Sequence, residues 1–136
     1  MPFVLDNSVV SGWYLASQRS DYSDAMALRL QDDKALVPTI WELELTNVLR
    51  AACLRKRLNA QQAQQIVLQI QALPIEVDRA AVPASEMLAL SLRFGLSSYD
   101  AAYLELALRR QIPLSTQDAA LRAAATAAGV GWVPAS

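Results

Sequence analysis

The chain has 136 residues and a formal net charge of −1; apolar residues make up 54 % of it and charged residues 18 %. This length suits one domain over residues 1–136, large enough to bury a core without disulfides or a structural metal. No apolar run approaches the roughly 18 residues of a membrane span, and the N-terminus does not resemble a secretion signal. A single cysteine, Cys53, fits a reducing compartment, so we expect a cytoplasmic protein.

The sequence contains no histidine. This excludes Ser-His-Asp and Cys-His nucleophilic sites and zinc sites built from His and Cys. Hydrolytic chemistry would have to use carboxylates, a hard metal ion held by carboxylates, or a Lys or Tyr side chain. The small net charge also excludes a general positive field, so affinity for nucleic acid would need a local basic patch or a bridging metal.

Short apolar segments alternate with longer segments of helical periodicity along the whole chain. Strands are predicted over residues 2–6, 34–37, 73–77, 112–116 and 130–133. Helices are predicted over residues 8–16, 22–31, 39–57, 60–73, 83–94, 98–110 and 118–128. This alternation favours an α/β fold in which helices cover both faces of a central parallel sheet.

Three aspartates lie where predicted strands end or predicted helices begin. Asp6 follows the first strand, Asp118 lies two residues after Thr116 beyond the fourth, and Asp100 lies in a first helical turn. In an open α/β sheet the ligand crevice lies outside the carboxyl ends of the strands, which favours a functional site here. Helix capping explains each position as well, through an Asp N-cap or through the pattern Ser97-x-x-Asp100, and the spacing leaves both roles open.

Glu44 lies in the predicted third helix with apolar residues one turn away on either side. A carboxylate buried on such a face is costly as an ion, so a bound metal or a role as proton acceptor would explain it; the alternative is that this face is exposed. Asn47, one turn further along, could hydrogen-bond the carboxylate. Glu42 follows Thr39 in a Thr-x-x-Glu pattern and is interpreted as part of a capping box.

Carboxylates that converge on one crevice cannot all stay ionised without a counter-charge. Because the chain offers oxygen ligands and no histidine, the expected counter-charge is a hard divalent ion such as Mg²⁺ or Mn²⁺. One such ion, or a pair, would generate a nucleophilic water and stabilise a phosphoryl transition state.

The ordered set of acidic segments resembles the signature of PIN-domain ribonucleases. The segments that carry the resemblance are "VLDNSV", "ELELTNVLR", "SSYDAAYLELA" and "PLSTQDAAL". Within that family the chain resembles the VapC-type toxins of prokaryotic toxin–antitoxin pairs. The most distinctive part is Thr116-x-Asp118-x-x-Leu121, followed by an alanine-rich helix and Gly129.

This resemblance implies a three-layer α/β/α sandwich around a parallel sheet and a Mg²⁺- or Mn²⁺-dependent endoribonuclease. It also implies a homodimer that a cognate antitoxin protein holds inactive. Carried over by position, it implies a metal site formed by four acids: Asp6, Glu44, Asp100 and Asp118.

The resemblance also implies a role for each acid. Asp6 and Asp100 would be the principal metal ligands, and Glu44 would hold or orient the metal-bound water. Asp118 would complete the acidic cluster. Two small hydroxyl residues match positions that support the site in this family: Ser8 and Thr116.

Four basic residues lie near the end of the predicted third helix: Arg50, Arg55, Lys56 and Arg57. Cations at a helix C-terminus complement the helix dipole, which explains them as a solvated helix end. The alternative is a local contact with phosphate groups of a nucleic acid.

Other classes also place an acid after a first strand. A haloacid-dehalogenase-like phosphatase would need a second acid two residues after Asp6, where this chain has Ser8. A receiver-like module would need a lysine after a later strand, and no lysine follows Lys56. A catalytically degenerate PIN domain that only binds its partners stays open, although the complete set of four acids argues against it.

Overall fold

The computed structural model describes all 136 residues and contains a four-stranded sheet and seven α-helices. The strands are β1 (Phe3–Leu5), β2 (Ala35–Pro38), β3 (Ile75–Asp78) and β4 (Leu114–Ser115). The helices are α1 (Asn7–Tyr14), α2 (Asp21–Arg29), α3 (Ile40–Leu54), α4 (Ala60–Gln71), α5 (Ala84–Phe94), α6 (Ser98–Arg110) and α7 (Ala119–Ala127), with a short 3-10 helix at Ala16–Gln18. No helix combines the length and the apolar character needed to span a membrane.

All neighbouring strands are parallel, and their order across the sheet is β3-β2-β1-β4. Helix α1 packs against α2 and α3, and α3 packs against α4. Helix α6 packs against β1, β2 and β4 and between α5 and α7. The helix contacts form two groups, α1–α4 and α5–α7, and with this strand order the right-handed rule for parallel crossovers puts the two groups on opposite faces of the sheet. The predicted three-layer α/β/α architecture is confirmed.

The central strands are fully buried, as expected for a parallel sheet covered on both faces. The apolar run of β1 ends at Asp6 because the chain leaves the sheet there to begin α1. All four parallel strands end at the same edge of the sheet, and the segments that follow β1, β2 and β4 carry Asp6, Glu44 and Asp118.

The predicted last strand, residues 130–133, is reduced to one isolated bridge between Trp132 and Leu114. Gly131 has a φ of 84°, which interrupts an extended chain at this point. The segment is held instead by the Trp132 side chain, whose Nε1 donates to the carbonyl oxygen of Thr116 at 2.9 Å.

The interpretation of Thr39 and Glu42 as a capping box is wrong. Thr39 already has helical dihedral angles, φ −59° and ψ −30°, and its side chain makes no cap hydrogen bond. Because an N-cap residue needs an extended backbone, Glu42 has no capping partner here. Its carboxylate forms a two-point ion pair with Arg79, at 3.0 and 3.2 Å.

Gly12 allows α1 and α2 to approach closely. A Cβ atom at this position would lie 2.6 Å from Cβ of the fully buried Ser23 and 3.0 Å from the carbonyl oxygen of Gln18. No side chain larger than hydrogen therefore fits without moving α2, which begins beside the carboxyl edge of the sheet.

We expect Gly12→Ala to lower the free energy of unfolding by about 1–3 kcal/mol, because the added methyl group overpacks the α1–α2 contact. Urea unfolding monitored by circular dichroism measures this. The Ser23→Gly change removes the atoms that the new Cβ would meet, so Gly12→Ala should cost clearly less in that background. An equal cost in both backgrounds would contradict the steric explanation.

Candidate active site

Asp6 lies directly after β1 and is only 5 % exposed. It occupies the N-cap position of α1, but its side chain makes no cap hydrogen bond. Its Oδ2 atom instead accepts hydrogen bonds from Ser8 Oγ at 2.8 Å and Thr116 Oγ1 at 2.7 Å. Both hydroxyls donate to the same oxygen, so Oδ1 is free of side-chain donors.

The two hydroxyls are themselves fixed by the backbone that follows β4. Ser8 Oγ accepts from the N–H of Gln117 at 3.0 Å, and Thr116 Oγ1 accepts from the N–H of Asp118 at 3.0 Å. Because each hydroxyl oxygen receives an N–H, its own proton is directed to Asp6. The ends of β1 and β4 are thereby joined through one carboxylate oxygen.

Asp118 is the N-cap of α7. Its Oδ2 accepts from the N–H of Leu121 at 2.8 Å, so the capping explanation holds for this residue. The residue is exposed, and its charge acts on two other acids of the site, Asp6 and Asp100.

Asp100 lies in the first turn of α6, and the cap of that helix is Ser97. The N–H of Asp100 donates to Ser97 Oγ at 3.2 Å, so the Asp100 carboxylate is not needed as a cap. Partial burial raises the pKa of Asp100, and the charges of Asp6 and Asp118 raise it further.

Glu44 projects from α3 and is half-buried. The hydroxyl of Tyr103 donates to its Oε1 at 2.5 Å, and Tyr103 is fully buried in α6. The predicted hydrogen bond from Asn47 is absent; Asn47 is exposed and lines a depression of about 400 Å³ beside Glu44. Burial raises the pKa of Glu44, the Tyr103 hydrogen bond lowers it, and the charges of Asp6 and Asp100 raise it again.

Tyr103 is the residue of this site that the sequence analysis missed. Its signal is its place three residues after Asp100 in a helix, which puts the two side chains on the same face. Burial and the neighbouring carboxylates Asp6 and Glu44 raise the pKa of Tyr103, so it stays a neutral donor.

The four acids form one electrostatic group, although they do not form a preformed metal cage. Burial is the largest cause of the raised pKa of Asp6, and the charge of Asp118 adds to it. No group of three or more Asp, Glu, Cys or His side chains has an arrangement that could hold a metal ion by itself. The structure therefore brings the predicted residues into one neighbourhood and leaves their carboxylates separated.

This arrangement fits a hard divalent cation of the Mg²⁺ type. Such ions keep several of their waters and bind through one or two carboxylates together with substrate phosphates, so a closed protein cage is not required. Two features fit: Oδ1 of Asp6 has no side-chain donor, and the pKa values of Asp6, Glu44 and Asp100 are raised. A cation would bind at the first and lower the second. Asp6 and Asp100 would hold it, with Glu44 and Asp118 nearby.

Asp6→Asn tests the electrostatic cost of burying the charged Asp6 carboxylate beside other acids. A carboxyl group whose pKa is raised by folding stabilises the protein below its unfolded pKa and loses that contribution as pH rises through its folded pKa. At pH 7 with a chelator we therefore expect Asp6→Asn to melt at a higher temperature than the parent. Mg²⁺ or Mn²⁺ should then stabilise the parent, by about 2.7 kcal/mol at 100 times its Kd, and leave the variant unchanged.

The matched control for this melting experiment is Asp32→Asn, which makes the same chemical change at an exposed position without an ion pair. It should respond to the metal as the parent does. Equal stabilisation of Asp6→Asn and the parent by the metal would contradict a cation site at Asp6.

Tyr103→Phe tests the hydrogen bond to Glu44. The hydroxyl lowers the pKa of Glu44, so its removal should raise that pKa further, while the buried ring is retained. Carbon-detected NMR titration of the Glu44 carboxyl measures the shift directly. Tyr99→Phe, an exposed tyrosine in the same helix, should leave the titration unchanged; an unshifted Glu44 in Tyr103→Phe would contradict the assignment.

Comparison with known structures supports the fold described above. The crystal structure of PAE2754 from Pyrobaculum aerophilum superposes with a TM-score of 0.69 and 21 % sequence identity, covering 97 % of this chain and 83 % of that chain. At this identity the similarity concerns the fold alone. No curated protein matches the chain in sequence.

The amino-acid sequence also matches the profile of a known protein family. The profile of the PIN domain matches residues 3–127, which include every strand, every helix and all four acids of the site. PIN domains are generally nucleases and typically use divalent metal ions. This chain belongs to the PIN domain family.

Proposed function

We propose that this protein is a Mg²⁺- or Mn²⁺-dependent endoribonuclease that hydrolyses phosphodiester bonds of RNA. The observation that carries the proposal is the state of Asp6. Its carboxylate is buried, and one oxygen accepts hydrogen bonds from Ser8 and Thr116. The other oxygen has no side-chain donor, and further acids lie nearby. Membership of a family of nucleases supports the reaction class, and the resemblance to VapC-type toxins supports RNA as the substrate.

Each of the chain's own residues has a role in this reaction. Asp6 and Asp100 bind the cation; when bound, it makes a water more acidic and neutralises charge on the phosphate. Glu44 accepts a proton from the attacking water, and burial raises its pKa, which makes it a stronger base than an exposed glutamate. Tyr103 occupies Oε1 of Glu44, which orients the carboxylate and leaves Oε2 for the water.

Asp118 contributes through position and charge. Its Oδ2 is used to cap α7, and its exposed carboxylate adds negative charge beside Asp6 and Asp100. A carboxylate in this position strengthens cation binding without having to be a direct ligand.

We further propose that the protein is the toxin of a type II toxin–antitoxin pair, acting in the cytoplasm as a homodimer that a cognate antitoxin protein inhibits. The resemblance to VapC-type toxins supports this proposal.

The alternatives are less well supported. A haloacid-dehalogenase-like phosphatase lacks its second acid, and Ser8 at that position is engaged in holding Asp6. A degenerate PIN domain would have no use for four acids whose mutual repulsion is unfavourable. No observation favours either class.

Asparagine and glutamine variants test the proposed reaction. Asp6→Asn and Asp100→Asn should each lower cleavage of single-stranded RNA by at least the roughly 10–100-fold that follows removal of a partner of a metal ligand. Glu44→Gln should lower kcat because it cannot accept a proton. Gel analysis of end-labelled RNA, with Mg²⁺ and with excess chelator, measures this.

Asp32→Asn is again the control and should cleave at the parental rate. Asp118→Asn keeps an N-cap, because Asn caps helices as well as Asp does, so any decrease in its activity reports on charge rather than on α7. Undiminished cleavage by both Asp6→Asn and Asp100→Asn, or cleavage that persists in chelator, would overturn the proposed mechanism.

A further inference from the structure

One segment of the chain carries an unbalanced positive charge. No acidic residue occurs between Glu44 and Glu76, and the segment contains four basic residues: Arg50, Arg55, Lys56 and Arg57. The side-chain ion pairs of the structure all use basic residues from outside this segment: Arg19, Arg29, Lys34, Arg79, Arg109 and Arg110. The four cations are therefore free of carboxylate partners.

Two of these cations line a pocket of about 260 Å³ between α1 and α3. Arg55 and Arg57 face it from the end of α3, together with the polar side chains of Ser17 and Gln18 and with no carboxylate. Arg57 Nη1 donates to Ser17 Oγ at 3.2 Å, which ties the guanidinium to the opposite wall. The pocket thus combines guanidinium, hydroxyl and amide groups with an apolar lining of Leu15, Val48, Ala51 and Ala52.

The side chains of Arg55 and Arg57 do not cap the C-terminus of α3. The helix ends at Leu54 because Lys56 takes a left-handed conformation with φ 59°. Backbone hydrogen bonds then satisfy the last turn: the N–H of Arg57 donates to Ala52 O at 2.9 Å, and that of Lys56 to Cys53 O at 3.0 Å. Since the helix is closed by its own backbone, the two arginine side chains are not needed as hydrogen-bonding caps, and a favourable interaction with the helix dipole leaves their donors available to a ligand.

The pocket and the acidic site lie along the same two helices, α1 and α3. Helices α1 and α3 both begin at the carboxyl edge of the sheet and pack side by side. The pocket starts at Ser11 and Val48, about one helical turn beyond the acidic group, and ends at Arg55. At about 1.5 Å per residue, Arg55 lies roughly 16 Å along α3 from Glu44.

We propose that this pocket binds a backbone phosphate of the RNA, a few nucleotides away from the bond that is cut. The inference rests on the proposed ribonuclease function and adds a subsite to it. Arginine suits the role because its planar fork can donate two hydrogen bonds to phosphate oxygens, and Ser17 adds a hydroxyl. RNA is favoured over an acidic peptide because the pocket and the proposed cleavage site lie along the same pair of helices, so that one strand a few nucleotides longer than the cleaved bond would contact both.

The test compares Arg55→Gln/Arg57→Gln with the parent. For cleavage of a long single-stranded RNA the double variant should show a KM raised about tenfold with kcat unchanged, because the subsite binds a part of the strand that does not react. The slope of log Kd against log salt for binding of the same RNA should fall by about 0.7 for each phosphate that the variant no longer binds. On an RNA trimmed to the nucleotides around the cut, parent and variant should have equal KM.

Arg93→Gln is the control for loss of charge: Arg93 is exposed and has no ion pair, and its replacement removes one positive charge elsewhere on the surface, against two in the double variant. It should leave the KM and the salt slope unchanged. Arg57→Lys keeps the charge without the fork and should give an intermediate KM. Melting curves confirm that the variants are folded.

The outcomes separate this inference from the proposed function. If the parent cleaves no RNA, the proposed function fails, whereas equal KM values and salt slopes for parent and double variant overturn the subsite alone. Binding of a poly-glutamate peptide by the parent but not by the double variant, with RNA binding unchanged, would overturn the phosphate subsite in favour of an acidic protein partner.

Discussion

The interaction on which the site depends is the burial of Asp6 between two hydroxyl groups. Burying a carboxylate is unfavourable, and hydrogen bonds from Ser8 and Thr116 offset only part of that cost, since the pKa of Asp6 remains raised. Both hydroxyls are held by N–H groups of the segment after β4, so the carboxylate has a fixed direction before any ligand binds. A group that is both fixed and destabilised is suited to bind a cation, because binding requires little reordering and relieves the repulsion.

The fixed geometry of Asp6 is a property of the whole fold. The segment after β4 is held by α1 and α2 as well: Gln117 Nε2 donates to the carbonyl oxygen of Ser8 at 3.0 Å, and Ser20 Oγ donates to Gln117 Oε1 at 2.6 Å. These two hydrogen bonds join residues 109 and 97 positions apart in sequence. The site can form only when the sheet and both early helices are in place, which couples stability of the site to that of the domain.

The sequence predicted the fold well because its strongest signals are local. Apolar runs and helical periodicity located the strands and helices, and acids at strand ends and in a first helical turn indicated the edge of the sheet where Asp6, Asp100 and Asp118 lie. The errors concern side chains with more than one possible hydrogen-bond partner, because spacing in the sequence does not show which partner is close in the folded protein. Glu44 has Asn47 one turn away on its own helix, but it bonds to Tyr103 of α6, which is distant in sequence and close only after the layers pack. Glu42 similarly pairs with Arg79 across the sheet edge.

The helices help four acids to share one edge of the sheet. Helices α1, α6 and α7 all begin at or beside the acids, and the N-terminus of a helix carries a partial positive charge that stabilises a nearby carboxylate by about 0.3–1 kcal/mol. Several weak contributions of this kind oppose the repulsion among the acids, whereas none neutralises it. The same geometry gives α3 two different ends, with Glu44 near its start and Arg55 just beyond its end. Helix α3 therefore carries opposite charges at its two ends. The negative end lies where a cation and the reacting bond would lie, and the positive end lies where the rest of an RNA strand would pass.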